Sequence, residues 1–145
     1  MAPSVLVLAL LIGILSTGAS GEGNKTKMIS TGKARNLQVG LWGGEHISMQ
    51  VSDSGAVLAF DCAHGAIDNV VTLDDNGRFD VKGYFVMEQG GPVRPGEADE
   101  KRPARYRGSL KGNSLTLTIT LNNSAEPIDT FTLTHGRRPL LTKCL

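Results

Sequence analysis

Aromatic residues are scarce in this chain: one tryptophan, two tyrosines and four phenylalanines make up 5% of it. Cysteine is scarcer still, with two copies, so only one intrachain disulfide is possible. There is little excess charge of either sign, the formal net charge being +1. A near-neutral chain sets up no global field for nucleic acid or for an acidic membrane. The body of the sequence lacks Ala-Leu-Glu-Lys helical runs, whereas glycine reaches 18 residues and threonine recurs in alternation. That balance favours strands and turns over helices. No apolar run reaches the roughly 20 residues of a membrane-spanning helix. No G-x-S-x-G serine, no H-E-x-x-H pair and no phosphate-cradling glycine loop ahead of a helix occurs. Nucleophilic, metal and nucleotide chemistry are thus left without a motif, and no cofactor is implied.

The 145 residues suit one domain. At the N-terminus, Val5–Leu15 (VLVLALLIGIL) is an unbroken apolar run of 11 residues. It is too short to span a bilayer and reads as a signal-peptide core. Ala19-Ser20-Gly21 supplies the small residues that a signal peptidase needs, which places the mature start near Glu22. Met1-Ala2-Pro3-Ser4 departs from the pattern, because it carries no Lys or Arg. The expectation is a signal peptide over 1–21, a flexible polar leader over 22–38 and one β-domain over 39–145. The product is then secreted or periplasmic, with no integral membrane segment after cleavage. Export permits disulfides, so Cys62 and Cys144 are expected to pair. Asn24-Lys25-Thr26 and Asn122-Asn123-Ser124 fit the glycosylation acceptor pattern, which matters only in a eukaryote.

Alternation then marks the strands. Ile47, Met49 and Val51 share one face of a first strand over 45–52. Asp53-Ser54-Gly55 turns, and Leu58, Phe60 and Cys62 share a face of a second strand over 56–63. A short third strand covers 69–73. Asn76-Gly77 is a strong hairpin signal, because a tight turn there needs positive φ. The fourth strand, 78–88, faces Phe79, Val81, Gly83, Phe85 and Met87 one way, with Gly83 marking a bend or bulge. Residues 89–103 (QGGPVRPGEADEKRP) form a long loop of mixed charge. Strands follow over 104–110, with Tyr106 inward and Arg105 and Arg107 outward, then over 114–121 (SLTLTITL), 130–135 and 140–145.

About eight short strands in hairpin order predict an all-β antiparallel meander closed as a small barrel, with a β-sandwich as the alternative. Closure removes the exposed edges of an open sheet. If the last strand, 140–145, pairs with the first, Cys62 and Cys144 meet at one rim beside Trp42.

Gly40-Leu41-Trp42, at the head of such a meander, resembles the G-x-W opening of the calycins, the lipocalin and avidin type of barrel. The resemblance implies that Trp42 plugs one barrel end. It also implies that a basic residue from the last strand, Arg137, Arg138 or Lys143, packs over the indole; Arg138 is the residue chosen for that role. The words Trp-Gly-Gly-Glu-His and Asp-Cys-Ala-His-Gly are similar to small exported bacterial proteins that carry no assigned function.

Three functional classes follow. The first is a binding module for a small apolar molecule or a protein partner, without catalysis. Its candidate contacts are Tyr84, Arg105, Tyr106 and Arg107. The second is an exported enzyme or metal site built from Glu45, His46, Asp61 and His64, whose strands bring them near one another. The third is a structural envelope protein. The mixed charges at Arg94, Glu97, Asp99, Glu100, Lys101, Arg102, Arg105 and Arg107 read as a solvated loop and not as a nucleic-acid stripe.

Overall fold

The structure is a computed structural model and describes residues 34–92, 96 and 100–144. The expected signal peptide and most of the expected leader lie outside the described residues. Among the described residues ten strands occur: β1 (Arg35–Asn36), β2 (Gly40–Gly44), β3 (Ile47–Val51), β4 (Ala56–Phe60), β5 (Ala63–Ile67), β6 (Thr72–Leu73), β7 (Arg78–Met87), β8 (Arg102–Lys111), β9 (Ser114–Leu121) and β10 (Pro127–His135). Eight of them close an antiparallel barrel in the order β10-β2-β3-β4-β5-β7-β8-β9, and β1 pairs with β6 as a separate ribbon. The fold is the expected closed all-β meander, not a sandwich.

Its strands differ from those expected at four places. Glu45-His46 is a tight reversal between β2 and β3, not the start of one strand, and His46 adopts φ 64° there. Asp61-Cys62 splits the expected second strand into β4 and β5. The expected third strand shrinks to β6, which stays outside the barrel and pairs with Arg35–Asn36. Over the described residues 140–144 the expected final strand does not form; Leu140 makes a single parallel bridge to Glu45. Closure therefore runs from β10 to β2, with Leu133, Thr134 and His135 opposite Gly44, Gly43 and Trp42. Part of the expected leader also joins the fold, because Leu37 is buried and its N–H donates to the Val71 carbonyl at 2.8 Å.

Inward side chains fill the barrel. Ile47, Met49, Leu58, Leu115, Leu117, Ile119 and Leu133 are 0% exposed, as is Tyr106. Gly83 makes no bulge, since β7 and β8 stay in unbroken register from Arg78↔Ser109 to Phe85↔Arg102. Its role is close approach. A Cβ on Gly83 would overlap the Ala66 carbonyl oxygen and the Tyr106 ring, and one on Gly65 would overlap the Tyr106 hydroxyl. The tyrosine ring therefore occupies the space that two glycines leave open. Its hydroxyl donates to the Tyr84 carbonyl at 2.7 Å, which satisfies the only polar atom on the ring. The one register irregularity in the ladder of β9 and β10 falls between Pro127 and Asp129.

After β10 the chain turns at Gly136 (φ 76°) and runs back over the outside of β2. A Cβ on Gly43 would overlap the Arg137 carbonyl and crowd the Pro139 nitrogen, so only glycine lets this tail lie flat. The Leu140 N–H donates to the Gly44 carbonyl at 3.0 Å, and the His46 N–H donates to the Leu140 carbonyl at 2.7 Å. The Cys62–Cys144 disulfide then staples the tail to the turn between β4 and β5, with Cα atoms 5.2 Å apart.

Candidate functional site

The antiparallel order fixes what each barrel end carries. One end has the start of β2, the finish of β10 and the ribbon of β1 and β6. Trp42 faces this end: it is 1% exposed, and its indole N–H donates to the Gln38 carbonyl at 2.9 Å. The other end has the turns after β2 and β4, and it holds the cystine. Trp42 and the disulfide therefore do not share a rim, contrary to the expectation. The reason is that the chain closes through β10 and crosses the wall before reaching Cys144.

No Arg or Lys side chain packs over the indole among the described residues. His135 takes that place, edge-on with ring centroids 5.0 Å apart. It is directly opposite Trp42 in the ladder, whereas the turn at Gly136 carries Arg137 and Arg138 to the outside. Register, not charge, decides which residue covers the tryptophan.

Around the cystine, the candidate acid–base residues separate into two pairs. His46 Nδ1 lies 2.6 Å from Asp61 Oδ2, and His64 Nδ1 lies 3.1 Å from Glu88 Oε1. The other Asp61 oxygen accepts the Thr142 N–H at 2.8 Å. That backbone hydrogen bond, with help from His46 and Lys143 against a smaller desolvation effect, holds the Asp61 carboxyl below its usual range. Partial burial raises the Glu88 carboxyl. The Lys143 ammonium at 3.2 Å and the His64 ring outweigh it, so Glu88 also falls below its usual range. Lys143 further donates to the Phe60 carbonyl at 2.8 Å. Both carboxylates thus anchor the tail. Among the described residues, no three His, Cys, Asp or Glu side chains converge as metal ligands.

His46 also borders a groove of about 460 Å³ where β10 diverges from β2, lined by Glu45, His46, Asp129, Thr130, Phe131, Thr132 and Arg137. Glu45 shares this groove; His64 does not line it.

The four candidate ligand contacts fall on opposite faces. Tyr106 is in the core, and burial pushes its phenol well above the ordinary tyrosine range. Arg105 and Arg107 are exposed on the outer wall and Tyr84 is half-buried there. Lys101 Nζ lies 4.6 Å from the Tyr84 ring centroid. Pairing sets Lys82 opposite Arg105 and Asp80 opposite Arg107. Arg105 leans to Asp80, with Nε 2.5 Å from Oδ1. Arg78, Lys82, Arg107 and Lys111 are exposed and make no ion pair among the described residues. A second groove, of about 550 Å³, lies at the end of this wall between Arg78, Arg107, Asp80, Asp74, Thr72 and Leu73. Sequence reasoning did not find Arg78, Lys82 or Lys111. Their outward parity on the strands was the available signal, but only the register shows that they share a patch.

The disulfide is the one expected of an exported chain, and among the described residues no helix is long and apolar enough to cross a membrane. The closed eight-strand antiparallel barrel fits a calycin-like small barrel. Comparison with protein-family models, with curated proteins and with solved structures finds no match to this chain.

Proposed function

We propose that the chain is an exported, calycin-like binding module that works through the outer wall of its barrel and catalyses no reaction. The carrying observation is the filled interior. Trp42, Met49, Leu58, Tyr106, Leu117, Ile119 and Leu133 occupy the space where a barrel of this size would hold its single small ligand. Among the described residues, Arg78, Lys82, Arg107 and Lys111, which make no ion pair, all lie on the outside of β7 and β8. The short apolar N-terminal run and the cystine support export. Titration with sodium laurate, followed by amide chemical shifts, tests the reading. The inward positions Tyr106, Leu117 and Ile119 are expected to stay unmoved. Saturable shifts there would place a ligand inside the barrel and sink the proposal.

The His46–Asp61 pair beside its groove favours one second reading, proton-transfer chemistry. An imidazole held by a carboxylate is the arrangement that general bases use. Turnover of a p-nitrophenyl ester panel that disappears in His46→Gln would establish it and remove the non-catalytic reading. Rates equal in both proteins would remove the second reading.

A further inference from the structure

The outer wall of β7 and β8 concentrates the charge of a chain that has almost none overall. Arg78, Lys82, Lys101, Arg105, Arg107 and Lys111 share it with Asp80 on β7, with Asp74 at the groove and with Glu100 beside Lys101. Among the described residues this wall is therefore locally basic, although the net charge of the chain is near zero. Local fields of this kind steer anions even when the total charge is small.

The neighbouring strands add a second feature. Along the outer face, Arg107 is opposite Thr118 and Thr118 is opposite Thr130; Ser109, Thr116 and Thr132 form the next row; Lys111, Ser114 and Thr134 form the last. Each row runs from β8 through β9 to β10, so the cationic rows continue into hydroxyl rows. Thr118 and Thr130 hydroxyls lie 3.1 Å apart, which shows how closely the array is spaced. At the end of the wall, the groove of about 550 Å³ sets two guanidinium groups, Arg78 and Arg107, beside Thr72 and the carboxylates of Asp74 and Asp80, the second of which is already engaged by Arg105. That size falls in the range of small-ligand clefts.

We infer that this wall binds a linear anionic glycan, a polysaccharide carrying carboxylate or sulfate groups. The inference rests on the outer-wall reading above. Guanidinium groups make paired hydrogen bonds to such anions, and Thr and Ser hydroxyls serve the sugar hydroxyls between them. The groove takes one charged sugar, and the rows hold the chain that continues from it. A bilayer fits less well. Membrane-binding surfaces combine basic charge with apolar side chains that enter the interface, and of the large exposed apolar residues of the described chain, Val39, Val57, Val70, Met87, Ile128 and Leu140, only Met87 belongs to β7 or β8, at the end of β7 away from the groove.

The test uses the full chain on immobilised heparin at about 0.05 M salt, where charge contacts are weakly screened, and in solution with polygalacturonate. Retention that ends as salt rises is expected for the unaltered protein. The triple variant Lys82→Gln, Arg107→Gln, Lys111→Gln is expected to bind about tenfold more weakly, the combined scale of three exposed charge contacts. A second variant, Val57→Glu with Arg138→Glu, lowers the net charge equally at exposed positions outside both grooves and is expected to bind as the unaltered protein does. Equal circular dichroism and melting temperature in all three exclude unfolding as the cause. No retention at about 0.05 M salt, or equal loss in both variants, would overturn the inference. So would tighter binding to phosphatidylglycerol vesicles than to polygalacturonate. Laurate entering the barrel would overturn the outer-wall reading instead, so the two failures are distinguishable.

Discussion

Replacing Tyr106 with alanine is the most direct challenge to the filled barrel. The side chain is 0% exposed, and its hydroxyl reaches the Tyr84 carbonyl at 2.7 Å. A buried tyrosine withdraws about 150–200 Å² from water, worth about 4–5 kcal/mol at ~25 cal/mol/Å². The lost hydrogen bond adds about 1 kcal/mol. A compact unfolded state reduces the area on which the first figure rests, so the expected loss is about 3–5 kcal/mol, the usual scale for deleting a buried aromatic ring. Partial collapse cannot recover much of this. The ring lies against the backbone at Gly65 and Gly83, and neither glycine has a side chain that can move into the hole. Tyr106→Phe keeps the ring and removes only the hydroxyl, so its expected loss is about 1 kcal/mol. Urea denaturation of the three proteins gives both values. The alanine variant should also gain what the unaltered barrel lacks, an apolar cavity able to take up benzene. A loss below about 1.5 kcal/mol for Tyr106→Ala, on the same mutational scale, would mean that the ring does not fill the interior. Equal losses for alanine and phenylalanine would mean that the hydroxyl, not the ring, carries the stability.

Three further outcomes are expected. Converting Cys62 and Cys144 to alanine opens a loop with a sequence separation of 82 and should lower stability by about 4 kcal/mol on the loop-entropy scale; denaturation of the two forms measures it. Asp61 and Glu88 both have depressed carboxyl pKa values in the fold, so their contribution is complete above the ordinary carboxylate range and is lost as pH falls through the depressed values. Melting temperature should therefore drop below about pH 4, and a smaller drop in Asp61→Asn would locate part of the effect. Lys82→Glu replaces a like-charge opposition to Arg105 with an opposite-charge one, and should raise stability by about 0.5 kcal/mol while weakening heparin retention.

The barrel was legible because its alternation is local. SLTLTITL became β9 at the residues expected, and Arg78 onward became β7, since inward Leu, Ile, Phe and Val at every second position leave no other face to bury. What went unread was non-local. β5 (Ala63–Ile67) is built of Ala, His, Gly, Ala and Ile, and its inward glycine is complemented by a tyrosine on another strand. No count of apolar residues could mark it. β2 was missed for a related reason: Gly43 and Gly44 look like a turn, yet Gly43 is a flat bed for the C-terminal tail and Gly44 is a ladder partner of Leu133. Losing both strands at the front forced the expected count of eight to be completed from 69–73 and 140–145, neither of which enters the barrel.

The same distinction explains the candidate site. Arg105 and Arg107 could be assigned an outward face from parity, but Tyr106 between them had to face inward by the same parity, and the structure buries it. Which cations join them depends on the register of β7 against β8, and a shift of one residue would have sent every outward side chain inward. The register that is adopted places Lys82 directly opposite Arg105, an arrangement that weakens a sheet, and one carboxylate, Asp80, relieves only the arginine. Lys82 is exposed, so a glutamate there is expected to leave folding as favourable or better. Barrel packing therefore does not by itself require a cation at Lys82. A partner that supplies the missing negative charge turns the same repulsion into binding energy, and this is why heparin retention and stability should move in opposite directions in Lys82→Glu.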